Sequence, residues 1–288
     1  MGWSEKERRL RLEWLNMWMV AVAIVLGLSG CDDGDDMPVA EPRMVVEGWI
    51  DSGGYPVVLL SFTAVPGDKE LEWSESIIRW GVVTLSDGER TVVLTGGPSD
   101  DYMPPYRYYS YEMAGVAGRT YTLTAEYQGM KVSSSVTMPE PTPIRSATRT
   151  PVEGCDTVNH LEIRFVAPAD VPAYYHVSYR INGADRRFLP SMLGTVAVYE
   201  PGAEVTMPVY RSKGSFSTGK FQPEMPASET VTVKLERVAA PVYEFWHAFD
   251  DATLVEGSIF VSGPGSMPSN IAGGLGVFSA SGVSTVVI

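Results

Sequence analysis

Tyr121, Leu123, Ala125 and Tyr127 alternate with Thr122, Thr124 and Glu126, and Gln128-Gly129 then turns the chain into a second β-like run over 131–138. A period of two gives one apolar face and one wet face, which a strand satisfies and a helix does not. The same pattern recurs along most of the chain. Runs at 43–50 and 56–62 are rich in β-branched and aromatic residues and are separated by the turn cluster Asp51-Ser-Gly-Gly54. Runs at 82–86 and 90–95 flank Asp87-Gly88, which supplies the positive φ angles of a tight hairpin. Residues 161–166 alternate, and 173–181 end at Asn182-Gly183, a second hairpin signal. Further strands are predicted at 195–199, 205–210 and 230–238, with a long Ser-, Gly-, Lys- and Pro-bearing loop at 211–229.

The order of these runs predicts a domain organisation. Gly118-Arg-Thr-Tyr121-Thr-Leu123 resembles the stretch of immunoglobulin-like sandwiches in which a tyrosine pins a corner. Pro139, Pro141 and Pro143 then stiffen the chain and remove backbone donors. The expected boundary lies there. A first immunoglobulin-like β-sandwich covers 41–138, a proline linker 139–143, and a C-terminal β-rich domain 144–288. One helix is expected at about 241–253. Pro241 suits a first helical position, and Val242, Phe245, Trp246 and Phe249 fall on one apolar stripe, read as core packing, with Asp250 and Asp251 facing solvent. The predicted fold class is mainly β: two tandem β-sandwich units and one short helix near the C-terminus.

The N-terminus carries an address. Lys6, Arg8, Arg9 and Arg11 form a basic segment, and residues 17–28 contain no charge. Such a stretch is too short to cross a bilayer as a helix, which takes roughly 20 apolar residues, and reads as a signal peptide over 1–30. Leu28-Ser29-Gly30-Cys31 matches a bacterial lipoprotein processing site, so Cys31 is the expected lipidation residue and the new N-terminus. Two or more acyl chains make a stable membrane anchor. Asp32, Asp33, Asp35 and Asp36 give an acidic tether over 31–40 that resembles the surface-export signal of Bacteroidota lipoproteins. The expected location is the outer membrane, lipid-anchored and facing the cell exterior.

Removing 30 of 288 residues takes away four basic and three acidic side chains, so the net charge of −13 becomes −14. That balance argues against a nucleic-acid partner, which needs clustered Lys and Arg. Only Cys155 follows Cys31, so no internal disulfide is available and stability must come from packing. His160, His176 and His247 lack other ligand types at metal spacing and read as packed or surface residues. No nucleophile elbow, zinc-protease helix or nucleotide loop occurs. No catalytic residue, metal or cofactor is therefore expected. The candidate ligand or partner contacts are Tyr102, Tyr106 and Tyr108, in the proline-braced segment 100–111, where rigid aromatic rings can stack on a ligand. Packing of the same rings on a sheet is the competing reading. Trp73 and Trp80 read as core or edge residues.

Pro268-Ser-Asn270-Ile-Ala-Gly273-Gly274-Leu-Gly276-Val-Phe278 resembles the closing motif of a Bacteroidota outer-membrane lipoprotein family catalogued as domain of unknown function 4249. Val45-Val-Glu-Gly-Trp-Ile50, Leu85-Ser-Asp-Gly-Glu89, residues 118–123 and Tyr243-Glu-Phe-Trp246 fit it in order, while Ala272 stands where the resemblance calls for an acidic residue. The glycines themselves read as sites of close backbone approach before a last strand. The resemblance implies an acylated, non-enzymatic accessory to a TonB-dependent receptor in ligand capture or uptake. The alternatives are a structural or adhesive surface protein and, third, a hydrolase with an unmarked site.

Overall fold

The computed structural model describes residues 41–63, 75–212, 222–254 and 267–288. The expected signal peptide and tether, with Cys31, and Trp73 lie outside the described residues. Among those described, the first half supplies β1 (Met44–Asp51), β2 (Val57–Phe62), β3 (Val82–Ser86), β4 (Thr91–Val93), β5 (Thr95–Pro98), β6 (Tyr106–Tyr109), β7 (Thr120–Tyr127) and β8 (Met130–Thr137). The second half supplies β9 (Ile144–Val152), β10 (Cys155–Val166), β11 (Ala173–Ile181), β12 (Leu189–Val198), β13 (Glu204–Pro208), β14 (Met225–Pro226), β15 (Val231–Val238), helix α1 (Ala240–Leu254) and β16 (Leu275–Val287). The chain is mainly β with one helix, in several sheets stacked as sandwiches.

One eight-stranded sheet runs β12-β11-β15-β16-β1-β2-β6-β5. Two smaller sheets, β4-β3-β7-β8 and β13-β10-β14 with β9 beside β10, each stack on part of it. Strand alternation places both stacks on the same side. Met44, Val46, Ile50, Phe278 and Ala280 meet Val83, Leu85, Tyr121 and Leu123 in one core. Tyr175, Val177, Val233 and Leu235 meet Leu161, Ile163 and Phe165 in the other. Interdigitation of such inner faces is the normal core of a sandwich.

The last strand redraws the expected boundary. β16 pairs in parallel with β1 from Leu275 to Ser281 and antiparallel with β15 from Gly282 to Val287. It therefore serves the first core with its first half and the second core with its last, where Val286 packs. The segment 144–288 is thus not closed on itself: its final strand completes the sandwich begun by residues 44–138. The prolines cross at the handover. A Cβ at Gly282 would stand 2.8 Å from the backbone of both Glu140 and Pro141, so only glycine lets the linker lie on the strand there. Residues 42–288 accordingly form one compact unit.

Several local readings are resolved at atomic detail. Gly88 has φ +88°, and the Asp87 carboxylate accepts from the Glu89 and Arg90 amides, closing the predicted hairpin. The Tyr121 hydroxyl accepts a 2.7 Å bond from the Val116 amide, the corner geometry anticipated at 115–123. The run predicted as one strand at 90–95 breaks at Leu94, whose amide bonds Val83; β4 stays with the small sheet and β5 crosses to the large one. The closing motif is a clamp. The Asn270 side chain donates to the Phe278 carbonyl at 2.7 Å and accepts from the Phe278 amide at 2.9 Å, imitating a strand partner.

Candidate functional site

Among the described residues, the opposite face of the large sheet carries no second sheet. Helix α1 covers part of it, packing on β11, β12 and β16 through Val242, Tyr243, Phe245 and Trp246. Beside the helix a cavity of about 260 Å³ opens onto the strands. Register explains its lining. Glu47, Trp49 and Asp51 of β1 stand beside Val277, Ser279 and Ser281 of β16, and His176 and Ser178 of β11 beside Glu236 and Lys234 of β15. These are the alternate positions left over when the other parity fills the two cores.

The floor of the cavity is an ionic network. The Lys234 ammonium lies 3.0 Å from Asp51 Oδ2 and 2.7 Å from Glu236 Oε1. Ser178 donates to Glu236 Oε2 at 3.0 Å, and His176 Nδ1 lies 2.9 Å from the same oxygen. Burial alone would raise the Glu236 pKa, but Lys234 and His176 outweigh it and hold the carboxyl at about 2. Ionised Glu236 can only accept, so His176 Nδ1 carries the proton. Burial likewise works against the charged Lys234, and the two carboxylates overcome it and raise its pKa. Asp51 is shifted upward, because burial and Glu236 outweigh the attraction of Lys234 and His176. His176 and Ser178 both bond the carboxylate, so neither activates the other as a nucleophile and base would.

Aromatic and basic groups make the walls. The His176 ring stacks on Trp246 with centroids 4.7 Å apart and planes 7° from parallel. Trp49 and Tyr102 lie 5.7 Å apart. Phe188, from the loop after β11, has the Arg180 guanidinium and the Lys234 ammonium each 5.0 Å from its centroid. Arg187 stands 5.8 Å from the Tyr102 centroid and Arg107 5.6 Å. Burial raises the pKa of Glu47, and the positive charge of Arg187 opposes the shift.

The three tyrosines expected as ligand contacts separate. Tyr102 lines the cavity. Tyr108 is 1 % exposed and belongs to the first core; its hydroxyl accepts from Gly81 and donates to Ile78, both at 2.9 Å, and burial pushes its pKa up to about 12. Tyr106 packs edge-on against Tyr108 and so also turns to the core. Parity decides this: 106 and 108 share the core side of β6. Trp246, read as core, is instead half-buried at the cavity edge. Asp250, read as solvent-facing, is buried, shifted upward by desolvation, with Thr195 donating to it at 3.5 Å. Trp80 is 83 % exposed, not a core residue.

Sequence reasoning missed Arg180, Lys234, Glu236 and the 182–188 loop. A signal existed: Lys234 and Glu236 alternate with Val231, Val233 and Leu235 in β15, the same spacing as His176 and Ser178 in β11. Among the described residues no three His, Cys, Asp or Glu side chains gather as a metal site. No helix among them is long and apolar enough to cross a membrane.

No curated protein sequence matches this chain. A solved structure titled as a cytokine receptor complex aligns at 10 % identity over 67 % of this chain and 90 % of its own, with a TM-score of 0.26, a likeness too weak to carry an argument. A family model described as a domain of unknown function (DUF4249) matches residues 34–286 of the chain. The chain belongs to that family.

Proposed function

We propose that this protein is a non-enzymatic capture protein, anchored to the outer membrane by acyl chains on Cys31, that holds a small ligand in the sheet-face cavity as an accessory to a TonB-dependent receptor. The observation that carries the capture half is the cavity itself: about 260 Å³, walled by Trp49, Tyr102, Phe188 and Trp246 and floored by a bonded ionic network. Ligand sites are concave and largely apolar, with a few fixed polar groups that set orientation, and drug-sized ones span about 300–1,000 Å³. This cavity suits a smaller molecule. The carboxylate, histidine and serine of the floor are engaged with one another, which favours holding over turnover. The anchor and the receptor rest on the Leu28–Cys31 signal, the acidic tether and the family resemblance.

The test is recovery of the full-length acylated protein from native membranes in mild detergent. Co-purification of a TonB-dependent receptor is the expected result. Reproducible recovery without any receptor, the acyl chains intact, contradicts the accessory role and favours a structural or adhesive surface protein.

A further inference from the structure

The cavity's charged groups divide into those satisfied within the protein and those that are not. Lys234 serves Asp51 and Glu236, and Arg186 serves Asp101 at 3.4 Å. Arg180 and Arg187 both line the cavity and are half-buried, yet among the described residues neither forms an ion pair. Arg180 gives a single long hydrogen bond, 3.4 Å from Nε to Asn182, and leans on Phe188. Arg187 leans on Tyr102 and faces the Glu47 charge without an ion pair to it. An aromatic ring against a guanidinium fixes its position while leaving N–H donors for an external acceptor. Two such forks line the aromatic-walled cavity, Arg180 stacked on Phe188 and Arg187 next to Phe188 in the chain, and guanidinium forks match a planar oxyanion by paired hydrogen bonds. Glu47 lines the same cavity and interacts with Arg187, and the paired N–H donors of a guanidinium match the flat two-oxygen edge of a carboxylate.

We propose that the captured ligand bears a carboxylate, which Arg180 and Arg187 grip while its apolar body lies against Trp49 and Trp246. This rests on the capture reading above and names the chemical class of the ligand. The carboxylates of the floor, Asp51 and Glu236, line the same cavity and supply acceptors for hydroxyl or amino groups on the body.

The test is calorimetric titration of the full-length protein in detergent with three probes that share one ring system: naphthoate, naphthamide and naphthylmethylammonium. Naphthoate is expected to bind about ten-fold more tightly than naphthamide, and Arg180→Gln or Arg187→Gln to remove that advantage, the difference one charge-assisted bond makes. Melting curves of both variants check that the fold survives; both side chains are half-buried and belong to neither core. Equal binding of naphthoate and naphthamide, no naphthoate binding, or unchanged affinity in both folded variants overturns the carboxylate assignment. Ser279→Met, which places a flexible apolar chain in the cavity, separates the two readings. If naphthoate shows no advantage over the amide or ammonium probe and Ser279→Met abolishes the binding of those probes, the cavity captures ligands and only the carboxylate is wrong.

Discussion

Replacing Lys234 by Met strips the cation from two buried carboxylates. The side chains of Lys234, Glu236 and Asp51 are 9 %, 11 % and 21 % exposed, so water cannot take over the role of the ammonium. Removing one partner of a buried pair costs about 3–5 kcal/mol, because the charge left behind remains desolvated. For a chain of this size each kcal/mol moves Tm by about 2–4 °C, so the loss is roughly 6–20 °C. The pH dependence fixes the cause. In the wild type the Glu236 pKa lies near 2 against an ordinary 4.5, so its contribution to stability is present above 4.5 and disappears as pH falls toward 2. In Lys234→Met only His176 is left to offset the burial of Glu236, so its folded pKa moves up and the contribution of the ionised carboxylate shrinks as pH rises. The gap between the two proteins therefore widens with pH. Thermal melts across the acid to neutral range measure it. A second variant, Lys234→Met with Glu236→Leu, should recover most of the loss, since an apolar replacement of a buried pair is often neutral. A loss independent of pH, or no loss, refutes a buried charged network on this face.

Tyr121→Phe removes the acceptor of the Val116 amide and should cost about 1–3 kcal/mol by denaturant unfolding; an unchanged midpoint would mean the corner bond is dispensable. Trp246→Ala should cost about 2 kcal/mol, short of the ~3–5 kcal/mol of a fully buried tryptophan, because the side chain is only half-buried against His176; a full core-sized loss would return Trp246 to the interior. Glu47→Gln tests the upward shift at the cavity wall. A carboxyl with a raised folded pKa stabilises fully below its unfolded value and loses that contribution as pH rises through the folded value. The variant should thus gain stability relative to wild type as pH increases from acid to neutral; a difference flat with pH would contradict the burial of this carboxyl.

The strands, the hairpin at Asp87-Gly88, the tyrosine corner and the helix were legible because each is a local signal: alternation, a turn pair, a stripe. The pairing of β1 with β16 was not. It joins Val45 to Leu275, and no local pattern reports which distant strand lies beside which. For the same reason the handover at Gly282 and the shared sheet were invisible, and the chain read as two closed units. Tyr102, Tyr106 and Tyr108 were found by aromatic density, which does not say which side of β6 a ring takes; register sends Tyr106 and Tyr108 to the core side, while Tyr102, in the segment before the strand, reaches the cavity. His176 read as a packed residue because its partners Glu236 and Trp246 lie 60 and 70 positions away. The polar residues that share its face become a site only when β11 and β15 pair.

The measurement that bears most directly on the capture reading is native mass spectrometry of the full-length protein taken from its own membranes, wild type beside Ser279→Met. The account predicts a small molecule that stays with the wild type, is absent from the folded variant, and carries a carboxylate. A wild-type protein that holds nothing the variant lacks, with its acyl chains intact and its fold confirmed, would contradict it.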